Sequence, residues 1–250
     1  MTAPSARKSS GCNTLFPPGP GELHLWLGLR AAVDSSEEFL RRALANYTET
    51  PREQLRITRG AQGKPALSWP ALPLDFNLSG SGDWLAMAVS DGAAVGVDIQ
   101  YCDPGREVMS LARRFFRDEE VAQLQACAPM QRSDRFYDYW TLKEAHIKAA
   151  GGSLGLQLES TGFLLRYPQA ATSDRSTGSI APLVSAAATA AWYGLLQPCA
   201  NYRLALCCHS PRDFSAGIRL CDLPGSGYSV EQSFELRAAS RSPHATPESR

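Results

Sequence analysis

The chain has 250 residues, 44% hydrophobic and 20% charged, with 25 Lys and Arg set against 25 Asp and Glu. That length is enough to bury a substantial core in one large or two small domains, and the composition is globular rather than disordered or fibrous. A zero net charge without a basic stripe argues against nucleic-acid binding, and no apolar run approaches the ~20 residues of a membrane span.

Residues 1–21 are rich in Ser, Pro and Gly and are expected to be a disordered N-terminal segment. Arg7 and Lys8 are not followed by an apolar stretch, so no secretory signal is read there and a cytoplasmic protein is expected. Leu23–Leu29 alternates in part and predicts a strand. Asp34-Ser-Ser-Glu-Glu supplies helix-capping chemistry before Phe39–Leu44. Gly60–Gly63 reads as a turn into an extended segment from Lys64-Pro65. Asn77-Leu-Ser79-Gly80-Ser81 reads as a short polar loop, followed by a strand from Trp84. Both polar loops, at 63–65 and 77–81, could bring backbone N–H groups close to phosphate, though plain turn chemistry is the simpler reading of each taken singly.

Asp91-Gly92 is a two-residue hairpin signal leading into the strand Ala93–Gln100. Helical segments are expected over about 108–126 and 133–150. Residues 154–167 read as extended and 168–188 as a loop. Ala190–Leu196 and Tyr202–Cys208 read as a closing hairpin, and 211–250 as an irregular tail. Mixed hairpins and helices predict an α+β fold. Cysteines at 12, 102, 127, 199, 207, 208 and 221 are odd in number and lack CxxC spacing, so neither a disulfide framework nor a zinc ribbon is expected.

Two places carry candidate chemistry. On the 93–100 strand, Val97 and Ile99 face one way while Asp98 and Gln100 face the other. An acid and an amide on one face form half of an oxygen-rich Mg²⁺ site, or simply a solvent-facing sheet edge. On the 133–150 helix, Phe136, Tyr139, Trp140, Ile147 and Ala150 form an apolar arc, with Glu144 and Lys148 one turn apart on its flank. A surface ion pair would explain those two. Lys143 falls inside the arc, where a lysine is costly unless it snorkels or meets an anion.

The ordered set Gly63-Lys-Pro65, Phe76-Asn-Leu-Ser79, Gly96-Val-Asp-Ile99, Phe115-Phe116…Glu120 and Trp140-x-x-Lys-Glu-Ala-x-x-Lys148 resembles the Sfp-type 4′-phosphopantetheinyl transferases, closely over about 55–165 and loosely to about 208. The resemblance implies a pseudo-twofold pair of similar α/β subdomains, here an N-terminal half at 22–96 and a C-terminal half with the metal site at 97–210. It implies a cytoplasmic monomer that moves 4′-phosphopantetheine from coenzyme A to a serine of an apo carrier protein of fatty-acid, polyketide or nonribosomal-peptide type, as a holo-acyl-carrier-protein synthase does. By the same likeness Asp98, Glu144 and Gln100 ligate Mg²⁺, and Glu144, Lys148 and Asp98 are catalytic. Lys64, Ser79 and Gly80, with Asp98 and Lys148, hold the coenzyme A, and Glu120 assists the metal and proton network. The helix near 108–126 becomes the candidate carrier-docking surface. Three departures stand out: Gln100 replaces a common Glu, Gly80 replaces a phosphate-touching His, and the basic stretch before Gly63 is short. They leave an alternative open, a catalytically weakened relative that binds coenzyme A or carrier domains.

Overall fold

A computed structural model describes residues 15–152, 158–167, 178–183, 190–215, 217–223 and 236–240. In chain order the elements are β1 (Leu23–Leu29), α1 (Ser36–Leu44), β2 (Arg56–Arg59), β3 (Pro65–Trp69), β4 (Asp75–Ser81), β5 (Trp84–Ser90), β6 (Val95–Tyr101), α2 (Val108–Phe115), α3 (Asp118–Ala126), α4 (Pro129–Ala149), β7 (Phe163–Arg166), β8 (Gly178–Pro182), β9 (Trp192–Leu196), β10 (Tyr202–Cys208), β11 (Ile218–Asp222) and β12 (Leu236–Ala239). The fold is α+β, as the sequence predicts.

One sheet has the order β11-β1-β5-β4 and another β6-β10-β9-β12-β8-β7, with β2 and β3 forming a separate ribbon. Strand alternation sorts the core into layers. Trp26, Met87 and Val89 face α1, where they pack with Phe39 and Leu40. Leu23, Leu25, Leu27, Ala86 and Ala88 face the second sheet and meet Val97, Ile99, Leu204 and Leu206. The far side of that sheet presents Tyr193, Leu195, Ala205 and Cys207 to Phe136, Leu142 and Ala145 of α4. Helix α1 begins where Ser35 Oγ accepts the Glu38 N–H at 3.1 Å, a capping bond that replaces a missing intrahelical partner.

The two sheets meet along β4 and β6 without a backbone ladder. Four alternate side chains of β4 accept the N–H groups of β6. Asp75 Oδ1 takes Val95 N–H at 3.0 Å, Asn77 Oδ1 takes Val97 N–H at 3.0 Å, Ser79 Oγ takes Ile99 N–H at 3.3 Å and Ser81 Oγ takes Tyr101 N–H at 3.0 Å. Donors on the free edge of β6, which buried backbone cannot leave unpaired, are thus satisfied from a neighbouring sheet. Gly96 has a reason of its own: a Cβ there would collide with the Ala145 carbonyl of α4.

Several expectations need correction. Residues 77–81 are not a loop but part of β4, because their alternating polar side chains are the partners of β6. Asp91-Gly92 does not close a hairpin. Strand β5 pairs with β1 and β4 while β6 pairs with β10, so this turn carries the chain from one sheet to the other. The 108–126 helix breaks at Phe116, whose extended backbone separates α2 from α3. The stretch from 211 is not wholly irregular: β11 lies parallel to β1, and β12 pairs with β9 in the second sheet. Arg219 and Asp222 in β11, and Arg237 in β12, conceal those short strands from a hydrophobicity pattern. Within the expected loop 168–188, residues 178–182 form β8. The expected hairpin of β9 and β10 is present. Of the segment 1–21 expected to be disordered, residues 1–14 lie outside the described residues, as does much of the tail, while 15–21 are described and Leu15 N–H donates to the Asn46 carbonyl.

Candidate functional site

Strand β6 puts Val97 and Ile99 into the inter-sheet core, so Asp98 faces α4. There it is almost wholly buried and meets three groups. Ser79 Oγ donates to Asp98 Oδ1 at 2.8 Å, Lys148 Nζ donates to the same oxygen at 2.6 Å, and Gln100 Nε2 donates to Oδ2 at 3.1 Å. Lys148 also donates to Ser79 Oγ at 2.9 Å and to the Val97 carbonyl at 3.3 Å. An ammonium has three protons, and all three are engaged.

Glu144, one turn before Lys148 on α4, is 2% exposed. Among the described residues its carboxyl receives no hydrogen bond. Burial pushes its pKa up, the Asp98 charge adds to that, and Lys148 opposes both, leaving it at about 7. A buried carboxylate beside another, short of donors, is a place where a cation lowers the free energy. The donor set therefore fits a divalent metal ion: Asp98 and Glu144 supply hard oxygens. Gln100 is oriented differently from the expectation. Its amide nitrogen faces Asp98, while its oxygen accepts from Ser81 Oγ at 3.4 Å.

Of the expected coenzyme-binding residues, Ser79 lies in this cluster. Lys64 lies further along the strand pair, donating to Asp75 Oδ1 at 2.7 Å and to the Val95 carbonyl at 3.1 Å. Gly80 is next to Ser79 on β4, and its missing side chain matters. A Cβ there would stand 2.6 Å from Arg30 Nη2 and 2.7 Å from Leu85 Cδ2. Arg30 itself is anchored, its Nε donating to the Gly82 carbonyl at 3.1 Å and its backbone N–H to the Asp83 carbonyl at 2.7 Å. Sequence reasoning could not choose Arg30 among the arginines before Gly63, because its registration depends on the β4–β5 turn.

Glu120 does not join Asp98 and Glu144. It is fully buried, with Lys143 Nζ at 2.7 Å and backbone N–H donors from Arg117 at 2.9 Å and Phe163 at 3.0 Å. Lys143 also donates to the carbonyls of Leu158 and Thr161. The lysine in the apolar arc has therefore met an anion. Burial drives the Glu120 carboxyl up and the Lys143 ammonium down, and their attraction opposes both shifts. These contacts hold α3, α4 and β7 together.

Comparison with known proteins bears on this arrangement. Residues 94–207 match the model of the 4′-phosphopantetheinyl transferase superfamily. A 4′-phosphopantetheinyl transferase of Bacillus subtilis is 43% identical over 113 residues, which are 44% of this chain and 48% of that one. The 4′-phosphopantetheinyl transferase AcpT of Escherichia coli K12 is 43% identical over 112 residues, 45% of this chain and 56% of AcpT. The 4′-phosphopantetheinyl transferase Sfp of Bacillus subtilis strain 168 is 33% identical over 131 residues, 52% of this chain and 55% of Sfp. The chain thus spans about half the length of the curated relatives it matches. The matched segment contains Asp98, Gln100, Glu120, Glu144 and Lys148, and over it the chain is similar to the 4′-phosphopantetheinyl transferase superfamily.

Proposed function

We propose that this protein transfers 4′-phosphopantetheine from coenzyme A to a serine hydroxyl of a carrier protein, releasing adenosine 3′,5′-bisphosphate. The observation that carries this reading is the convergence of Asp98, Glu144 and Lys148 from a strand and a helix, in a segment that matches the superfamily. Phosphoryl transfer needs positioning and charge neutralisation more than covalent help from the protein, and two carboxylates with a lysine supply both.

Asp98 and Glu144, with Gln100 after an amide flip, would hold Mg²⁺. The ion would neutralise the pyrophosphate of coenzyme A and polarise the phosphorus under attack. Glu144, or a water on the ion, would take the serine proton. The serine oxygen forms a bond to the phosphorus bearing the pantetheine arm, and the bridging oxygen departs with the adenosine bisphosphate. Lys148 turns from Asp98 towards the phosphate as negative charge gathers there. Ser79 and Lys64 line the strand pair on which the nucleotide half would lie, and Arg30 stands beside Gly80 at the β4–β5 turn. A groove of about 720 Å³ lined by Arg106, Arg113, Arg132, Val108 and Met109 offers a basic and partly apolar seat for the carrier.

The orientation of Gln100 and the loss of an imidazole at Gly80 favour a second reading, a binder of coenzyme A or carrier domains with little turnover. Incubation with apo carrier protein, coenzyme A and Mg²⁺ separates the two. Transfer adds the mass of one phosphopantetheine group to the carrier, and Glu144→Ala abolishes it. Coenzyme A binding with no mass gain under any divalent metal would leave the binder.

A further inference from the structure

A second cluster lies on the same face of the β6 sheet, and nothing in the proposed transfer uses it. The ligand atoms of His146, Cys207 and His209 lie within 4.8 Å of one another. Each comes from a different local context. His146 is on α4, two residues beyond Glu144. Cys207 is on β10, fully buried, with its side chain in the layer between sheet and helix. His209 follows the end of β10 and is fixed by its N–H to the Ala94 carbonyl at 2.9 Å. The two imidazole centroids are 5.6 Å apart. Tyr193 of β9 stands behind them, its hydroxyl 2.9 Å from His146 Nδ1.

We infer that His146, Cys207 and His209 form a binding site for a thiophilic metal ion of the Zn²⁺ class, separate from the hard-cation site at Asp98 and Glu144. One sulfur and two imidazole nitrogens are a soft donor set, poorly suited to Mg²⁺ and well suited to Zn²⁺. With Zn–S of about 2.3 Å and Zn–N of about 2.0–2.1 Å, ligand atoms in a tetrahedral site stand roughly 3.3–3.6 Å apart. The cluster must contract by about 1 Å, which a torsion of His209 beyond the strand end can supply. Tyr193 fixes the His146 ring through Nδ1, which is how a supporting partner orients a metal-binding imidazole. His146 and His209 are half-buried, so the ion has a way in and a fourth position remains for water. Binding displaces the thiol proton of Cys207 to solvent, giving a thiolate–metal bond. The bound ion ties α4 to the end of β10.

Cobalt is a suitable probe because a thiolate ligand gives a charge-transfer band that oxygen ligands do not. The metal-free full-length protein, kept in excess Mg²⁺ to fill the carboxylate site, is titrated with Co²⁺. One equivalent produces a near-ultraviolet thiolate band with the intense visible bands of four-coordinate cobalt, and Zn²⁺ abolishes both. Cys207→Ser and His209→Ala each remove the thiolate band, and Tyr193→Phe weakens binding about tenfold. Zn²⁺ raises the melting temperature of the unmodified chain but not that of His209→Ala. Because His209 lies past the strand and is half-buried, that variant retains its fold, which circular dichroism verifies. A weak six-coordinate spectrum alone would overturn the site. So would a thiolate band surviving in both Cys207→Ser and His209→Ala, since the chain has seven cysteines.

Discussion

Lys148 Nζ lies 2.6 Å from Asp98 Oδ1, and the lysine side chain is 22% exposed against 1% for that of Asp98. The lysine thus occupies the charge position that a metal ion would take on Asp98. A positive group of the protein and an added cation compete for one oxygen. Lys148→Ala should therefore bind Mg²⁺ more tightly than the unmodified protein, because two buried carboxylates are left with no internal counter-charge. Its turnover should fall about a hundredfold, the usual loss when one charge-stabilising donor is removed from the transition state. Calorimetric Mg²⁺ titration and carrier modification rates read the two effects separately. Weaker Mg²⁺ binding by the variant would contradict the competition.

Arg30 stands where a side chain at position 80 would otherwise be. On the proposed function it supplies the cation that the family's imidazole provides elsewhere. Arg30→Ala should raise KM for coenzyme A by about tenfold, the effect of losing one charge-assisted hydrogen bond, with little change in kcat. Gly80→Ala should do the same more weakly, since its Cβ displaces the guanidinium and presses on buried Leu85. Comparing KM for coenzyme A and 3′-dephospho-coenzyme A then locates the contact. If Arg30→Ala loses affinity for coenzyme A alone, Arg30 holds the 3′-phosphate; if for both, it holds the pyrophosphate. An unchanged KM would remove Arg30 from the site.

The sequence made the chemistry more legible than the packing. Asp98 on a polar strand face, the Glu144–Lys148 spacing and the awkward Lys143 are all local patterns, and the structure brings the first three residues into one cluster. Glu120 was not assignable to Lys143 by any local rule, since the partners are on different helices and their meeting is a tertiary event. The β4 strand was read as a loop for a related reason. Asn, Ser and Gly disfavour strands when judged singly, yet Asn77, Ser79 and Ser81 are needed as acceptors for a strand twenty residues away. Strands β11 and β12 are short and bear charges, so only their pairing partners reveal them.

The Glu120–Lys143 pair is fully buried on both sides. Removing one partner leaves an uncompensated charge in the core. Lys143→Met should destabilise the fold by about 3–5 kcal/mol, while Glu120→Leu with Lys143→Met should recover much of that loss. Urea unfolding of both single variants and the double variant gives the coupling. If the double variant is as unstable as the sum of the singles, the pair is not coupled as the geometry requires.

Asn77 Oδ1 is the acceptor for the Val97 N–H, immediately before Asp98. Asn77→Leu keeps the volume and strands that N–H, at a cost of about 1–3 kcal/mol. Asn77→Asp retains an acceptor and should cost less. Loss of the bond should also loosen β6 where it carries the site, so amide exchange at Val97 should accelerate in Asn77→Leu ahead of global unfolding. Unchanged protection at Val97 would show that β6 is held by β10 alone.

His24 makes the stability depend on pH with a sign that follows from its hydrogen bonds. Trp26 Nε1 donates to Tyr47 Oη at 2.8 Å, so the tyrosine proton is free to go to His24 Nδ1, 2.8 Å away. The imidazole is then neutral with its proton on Nε2, which is 3.3 Å from Glu22 Oε1. Burial lowers the His24 pKa, Glu22 opposes that, and Arg219 reinforces it. An unfolded histidine, near 6.5, therefore takes its proton before the folded one does, and the unfolded state binds more protons below that pH. Stability from this group is complete above about pH 6.5 and is lost as pH falls towards the lower folded value, by at most about 1.4 kcal/mol per pH unit. His146 and His209 are lowered as well and act in the same direction, so the total slope is not that of His24 alone. The difference between the unmodified chain and His24→Gln isolates it. Urea midpoints at about pH 5 and pH 7 should lie closer together in the variant. Equal slopes in the two proteins would show that folding does not lower the His24 pKa, and a smaller slope in the unmodified chain would show that the fold holds it protonated.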